Sequence, residues 1–244
     1  MIARTAVVTR NLVKRYGRRR ALDGFTLTVP AGCVLGLVGP NGAGKTTWMM
    51  SVVGLLRTES GEISLLDKGP FDARIHSGRV SILPQDSDLP LESTPESFLF
   101  GLGRLQGLSS TDARAEARRV LDAVNLADRA KTSIRALSHG MRKRLMAAQC
   151  FIGKPELILL DEPMNGLDPE ETVRLRKLIL EDAGERTVVI SSHDLSGLER
   201  ICTHVAFVEA GRVVRFASLA ELKADGESLE DAYLNRHAPP SQNT

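Results

Sequence analysis

Apolar positions follow two periods along the chain, and the switch between them divides it into three stretches. TAVVTRNLV and FTLTVP near the start are β-rich or alternate strictly, with GRRRALDG as the turn between them. CVLGLV is a short apolar run between glycines, the type expected of a strand buried on both faces. KTTWMMSVVGLL then runs without a breaker to Gly54, which predicts a helix from Gly44 onward. GEISLL and RVSILP are further strand candidates, joined by a polar, glycine-containing loop.

From about 94 to 152 the period becomes helical. Thr94-Pro95 is a start signal with proline at the first helical position. Thr111 is a candidate cap for the next helix, whose apolar face carries Ala113, Ala117, Val120, Leu121 and Val124. LSHGMRKRLMAAQCFIG supplies a third helix. After Pro155 strand and helix alternate again through LILLD, PEETVRLRKLILEDAG, TVVIS and DLSGLERI. HVAFVEAGRVVRFA then reads as a hairpin turning at Ala210-Gly211. Such alternation predicts an α/β fold with a mostly parallel sheet and helices on both faces. The expected organisation is one domain over 1–237. Its sheet core takes 1–93 and 153–237, a helical subdomain is inserted over about 94–152, and 238–244 is a polar tail.

Composition narrows the function classes. Of 244 residues, 32 are Lys or Arg and 30 are Asp or Glu, a net charge of +2 that does not call for nucleic acid. The short basic runs at 18–20 and 142–144 read as a solvated turn and a solvated helix face. Cys33, Cys150 and Cys202 lie far apart among apolar neighbours, as reduced buried thiols would, and suggest no metal cage. The N-terminal segment carries Arg4 and Arg10 and lacks the core of a secretory signal. No apolar run reaches 18 residues, so the chain is not expected to span a membrane by itself. A reducing cytoplasm fits these features.

Two motifs carry chemistry. GPNGAGKTT, comprising Gly39, Pro40, Asn41, Gly42, Ala43, Gly44, Lys45, Thr46 and Thr47, matches G-x-x-x-x-G-K-[ST] and stands between a predicted strand and helix. Its glycines let backbone N–H groups wrap a polyphosphate, Lys45 reaches the terminal phosphates, and Thr46 offers a hydroxyl to Mg²⁺. LILLDEP then places Asp161 at the C-terminal end of a buried strand, where open sheets bind ligands and where a carboxylate can hold Mg²⁺. Glu162 follows and is expected to point elsewhere by strand alternation, suited to orient or deprotonate an attacking water.

With these motifs the chain resembles the ATP-binding subunits of ABC transporters, over nearly its whole length and in the family's motif order. The resemblance implies a P-loop NTPase fold with an N-terminal antiparallel β region. It implies that Tyr16 stacks on adenine and that Gln85, in ILPQDSD, links Mg²⁺ and water to a transmembrane partner. It implies that Asp168, in NGLDPE, crosses a dimer seam and that His193, in SSHD, holds the γ-phosphate. LSHGMRKRL sits where the family has LSGGQ, so Ser138 and Gly140 are implied to face the γ-phosphate held by a second subunit. His139 and Met141 depart from the family's glycine and glutamine. From the residues alone Tyr16 is equally a half-buried strand residue, and Gln85 and His193, taken singly, are more often structural hydrogen-bonding groups than site residues. On its own segment Ser138 reads first as a helix N-cap, and Asp168 is equally one.

The GMRKR variant and SLEDAYL resemble the ATPases of bacterial exporters for drugs, antibiotics or polysaccharides, although SLEDAYL also reads as a short amphipathic helix closing the fold. The implied function is ATP hydrolysis in a head-to-tail dimer coupled to export through a separate permease. That would make the chain peripheral on the inner face of the membrane. The alternatives are an importer ATPase, a non-transport relative, or a module that senses ATP without turnover. Long coiled coils of the DNA-repair relatives are missing between Gln85 and Ser138, and Glu162 with His193 argues for turnover.

Overall fold

The computed structural model describes residues 4–181 and 184–236, so the polar tail at 238–244 lies outside the described residues. Two twelve-residue strands open the fold, β1 (Thr5–Tyr16) and β2 (Arg19–Pro30), paired antiparallel, and β4 (Ser60–Leu65) pairs antiparallel with the other edge of β1. The turn between β1 and β2 is only Gly17-Arg18, shorter than the GRRRALDG expected. Burying Ala21 and Leu22 draws the following residues into β2, and Gly17 supplies the positive φ (59°) that a two-residue hairpin needs.

The second sheet has the order β5-β6-β7-β3-β8-β9, built from β3 (Val34–Val38), β5 (Val80–Leu83), β6 (Leu157–Asp161), β7 (Thr187–Ser192), β8 (His204–Glu209) and β9 (Arg212–Ser218). Its pairs are parallel except β8 with β9, a hairpin turning at Ala210 (φ 47°) and Gly211 (φ 77°) as the sequence suggests. Every residue of β3, β6 and β7 is buried, which fits their unbroken apolar runs.

Alternation along these strands splits the interior in two. Leu35, Leu37, Leu157, Leu159 and Val189 face a core shared with the antiparallel sheet and with α1 (Lys45–Val52). Trp48 of α1 is fully buried there, its ring 5.7 Å from that of Phe25 and its N–H donating to Thr9 Oγ1 at 3.2 Å. Truncation of such an aromatic costs about 3–5 kcal/mol. Val34, Val38, Ile158, Leu160 and Ile190 face the opposite core, shared with the remaining long helices.

Those helices are α3 (Pro95–Leu105), α4 (Ser110–Ala123), α5 (His139–Gln149) and α6 (Pro169–Leu180). Thr94 caps α3 as expected, its hydroxyl accepting from Ser97 N–H at 3.3 Å. The cap of α4 is Ser109 and not Thr111, because Ser109 is extended and its Oγ accepts from Asp112 N–H at 3.1 Å. The face predicted for α4 is buried as drawn, from Ala113 to Val124. Between β4 and β5 the polar loop contains a four-residue helix, α2 (Ala73–His76), capped by Asp72. The fold closes with α7 (Leu195–Glu199), α8 (Leu219–Ala224) and α9 (Leu229–Leu234), the last formed by the SLEDAYL segment. No periodicity announced α8, which is nucleated by a capping box between Ser218 and Glu221.

The three cysteines are buried and unpaired, and burial pushes the thiols of Cys33 and Cys150 up to about 12. The basic run at 142–144 is not a solvated face: Arg144 is buried, and Arg142 and Lys143 are half-buried. Among the described residues no helix is long and apolar enough to cross a membrane.

Candidate active site

Parallel strands deliver their C-terminal ends to one edge of the sheet, and the candidate residues gather there. In register, Val38 lies beside Ser192 and Asp161 beside Ser191. The loop after β3 can make its tight path only with glycine at the close approaches. A Cβ on Gly39 would lie 2.2 Å from Val208 O, and one on Gly44 (φ 113°) would lie 2.4 Å from Ala21 O. Lys45 is buried, and its ammonium turns back to donate to Gly39 O at 2.7 Å and Pro40 O at 3.3 Å. Burial holds its pKa below the ordinary lysine value, opposed by the nearby Glu162 and Asp161 carboxylates. A cation enclosed mainly by carbonyl oxygens at the head of a helix is suited to the charge of a phosphate.

Asp161 is 3% exposed and fully engaged. Thr46 Oγ1 donates to its Oδ2 at 2.5 Å, and Ser191 Oγ donates to its Oδ1. Glu162 turns away from Asp161, but strand alternation is not the whole reason. It lies one residue past β6 with a left-handed backbone (φ 49°), held by its N–H donating to Ser191 Oγ at 2.8 Å. Its carboxylate Oε2 stands 3.2 Å from His193 Nδ1. The Glu162 side chain is 10% exposed and the His193 side chain 64%, so the pair runs from protein interior to open cavity.

The cavity measures about 400 Å³ and is lined by Tyr16, Asn41, Gly42, Gly44, Lys45, Thr46, Thr47, Gln85, Asp161, Glu162 and His193, joined by Arg19, Ala21 and Asn165. Tyr16 stands at its rim, half exposed, with the Lys14 ammonium 5.6 Å from the ring centre. Ala43 is buried beneath the loop, its N–H donating to Pro40 O at 3.1 Å.

Ser138, Gly140 and Asp168 stand away from this cavity. Ser138 caps α5, accepting from Met141 N–H at 3.1 Å, and Asp168 caps α6, accepting from Glu171 N–H at 2.8 Å. Gly140 backs onto Glu171, whose two carboxylate oxygens lie 2.4 Å from where a Cβ would stand. Within one chain, then, the N-cap readings of Ser138 and Asp168 are realised.

Besides Ala21, three cavity or support residues were not anticipated. Arg19 donates to Gly42 O at 2.6 Å and arrives there because the hairpin pairs it with Tyr16. That pairing was readable only once the turn was known to be two residues long. Ser191 becomes visible as a partner of Asp161 only when β6 and β7 are set in register. Asn165 enters through the tight loop after Glu162, its N–H donating to Glu162 O at 3.2 Å.

A phosphate loop, a buried strand-end aspartate bonded to the threonine of that loop, and an adjacent glutamate define the nucleotide site of a P-loop NTPase. Residues 22–165 match the ABC transporter family. The chain is 36% identical over 210 residues to the Nod factor export ATP-binding protein I of Burkholderia lata, covering 84% of this chain and 68% of that protein. It is 36% identical over 232 residues to the daunorubicin resistance ATP-binding protein DrrA3 of Streptomyces coeruleorubidus, covering 92% and 72%. Among solved structures, an ATP-binding subunit of an ABC transporter superposes with a TM-score of 0.82 at 26% identity, covering 95% of this chain and 99% of that one. A bacterial Atm1-family ABC exporter with ATP bound superposes with a TM-score of 0.80 at 24% identity, covering 99% and 43%, a likeness of fold. The chain belongs to the ABC transporter family, as one of its ATP-binding, ATP-hydrolysing subunits.

Proposed function

We propose that the chain powers export through a separate permease on the inner face of the membrane, as half of a head-to-tail dimer that clasps two ATP molecules. The second half is another ATP-binding subunit. The observation that carries this reading is a division of labour: Lys45, Thr46, Asp161 and Glu162 converge on one cavity, while Ser138 and Gly140 stand outside it. A turn of that composition, at the head of the eleven-residue α5, is suited to a phosphate presented from outside the chain. The names of the relatives, which concern Nod factor export and daunorubicin resistance, support export over import.

Each residue then has a task. Tyr16 offers its ring to the base. The loop of Gly39, Pro40, Asn41, Gly42, Ala43, Gly44, Lys45, Thr46 and Thr47 holds the phosphates with backbone N–H groups and the Lys45 charge. The hydroxyl of Thr46 and the carboxylate of Asp161 are hard oxygen donors already 2.5 Å apart, a pair suited to Mg²⁺, with Gln85 at the cavity wall as a further oxygen. Mg²⁺, when bound, neutralises charge on the transferred phosphoryl group. Glu162 accepts the proton of the attacking water, whose oxygen bonds to the γ-phosphorus as the bond to the β-phosphate oxygen breaks, releasing ADP and phosphate. His193 holds the γ-phosphate and orients Glu162. Ser138 and Gly140 of the partner subunit, with Asp168 across the seam, complete the enclosure. The helical stretch 94–152 serves as a subdomain that carries Ser138 and Gly140 to the seam, and the groove it forms with the sheet core near Gln85 receives the permease.

The test of the site is phosphate release. Glu162→Gln should bind ATP with parental affinity and turn over about 10²–10⁴ more slowly, the weight of a general base. Near-normal turnover in that variant would remove Glu162 from the role. Transport direction is read by co-reconstitution with a permease: ATP supplied to the face bearing this chain should drive solute to the opposite face, and movement toward ATP would mean import.

A further inference from the structure

The basic run of α5 has no task in the scheme above, yet the structure does not leave it in solvent. Arg144 is buried; its guanidinium donates to Val124 O, reaches Asn125 O at 3.2 Å, and sets Nε 3.3 Å from Glu171 Oε1. The side chains of Arg144 and Glu171 are 7% and 16% exposed, so each charge depends on the other. Arg144 Nε has no aligned hydrogen bond, so the contact to Glu171 is an ion pair held by position. Lys143 donates to Asn165 O and lies against Gly166, where a Cβ would be 2.9 Å from its ammonium. Glu171 also presses its carboxylate onto Gly140, and its N–H is held by Asp168. Asn165, at the other end, lines the nucleotide cavity and donates to Glu162 O.

A continuous chain of contacts therefore runs from the backbone of Glu162, through Asn165 and Lys143, to α5, and from α6 through Glu171 to Arg144 and Gly140. We infer that Lys143, Arg144 and Glu171 are positioning residues: a clamp that fixes the Ser138–Gly140 turn to the 162–171 segment. Each chain thereby presents its turn to its partner's nucleotide in a pose set by its own active-site loop. Glycine at 140 is required by the clamp itself, since any side chain would displace the Glu171 carboxylate. The inference rests on the proposal that Ser138 and Gly140 serve the partner's site.

Mixed dimers separate the two ideas. A Lys45→Ala chain keeps its turn and loses its phosphate loop, and a Ser138→Arg chain does the reverse. Neither should hydrolyse ATP alone, and their mixture should recover phosphate release through one composite site. Failure to recover it would refute the shared-site reading, and the clamp's role in the partner's turnover would fall with it. Glu171→Ala is then added to one chain or the other, with Lys143→Ala as a second variant at a less buried position. On the Lys45→Ala chain, which donates the turn, either change should cut release at least tenfold. On the Ser138→Arg chain, which holds the nucleotide, it should leave release within about twofold. Equal loss in both arrangements, loss in neither, or greater loss in the second would overturn the clamp. Lys143→Arg on the turn-donating chain should retain release, since it keeps the donor to Asn165 O.

Discussion

Glu162 occupies a left-handed backbone (φ 49°) that a non-glycine residue adopts only at a cost of about 1–3 kcal/mol, and its N–H bond to Ser191 Oγ helps to keep it there. The chain spends that strain to turn a carboxylate out of the strand line and toward His193. Glu162→Gly should relax the backbone, raising stability while abolishing turnover. A urea midpoint lower than the parent's would show that the φ is not strained. Lys45 sets its ammonium on the carbonyl oxygens of the phosphate loop, so Lys45→Ala should lose nucleotide affinity; a titration with unchanged binding would contradict the phosphate-loop assignment. Arg19 is exposed and screened, so Arg19→Ala should weaken binding of a fluorescent ATP analogue by only roughly two- to fivefold. The phosphate loop was legible because its residues are contiguous and its geometry is written in glycines. Arg19, Ser191 and the burial of Arg144 were not, because each depends on a partner 20 to 30 positions away or on the length of a turn.

At the scale of elements, the order of strands and long helices was readable from periodicity, since fully buried strands are unbroken apolar runs and α4 keeps one apolar face. Of the short helices, α7 and α9 were read from DLSGLERI and SLEDAYL, but α2 and α8 escaped it. Four residues of α2 and six of α8 show less than two turns of pattern, and their caps, Asp72 and Ser218, are the only local signal. Cap identity has a measurable weight: Ser109→Ala should destabilise the fold by about 1 kcal/mol, whereas Thr111→Ala should be neutral in the same denaturant titration. The starts of β5 and β6 are tied by Arg79 and Glu156, whose Nε donates to Oε1 at 2.5 Å. Arg79 holds the Glu156 carboxyl below its ordinary value of 4.5. A folded pKa below the unfolded one contributes stability above pH 4.5, lost as pH falls through the folded value. With both side chains about a third exposed the effect is small, but Glu156→Gln should flatten the acid limb of stability below pH 4.5.

Among the described residues, two cores lie on the two faces of one mostly parallel sheet, with the candidate site at the edge where the strands end. One core binds α1 between the sheets and so fixes the phosphate loop; the other carries α5 and its exposed turn. Ser138 and Gly140 stand outside the cavity that holds Lys45, which is the placement the proposed two-subunit site needs. The proposed division comes from the family resemblance, whereas the contacts that hold the turn, from Arg144 and Glu171, emerge only from the packing of α5 on α6. Glu162→Gln with ATP should accumulate as a dimer in sedimentation. Adding Ser138→Arg should leave it a monomer with ATP bound.

The most direct measurement is ATP hydrolysis per chain as the protein is diluted, with association followed in parallel by sedimentation. Specific activity should fall in step with the dimer fraction and vanish where only single chains remain. Undiminished activity per chain at dilutions where no dimer survives would contradict a site shared between two subunits.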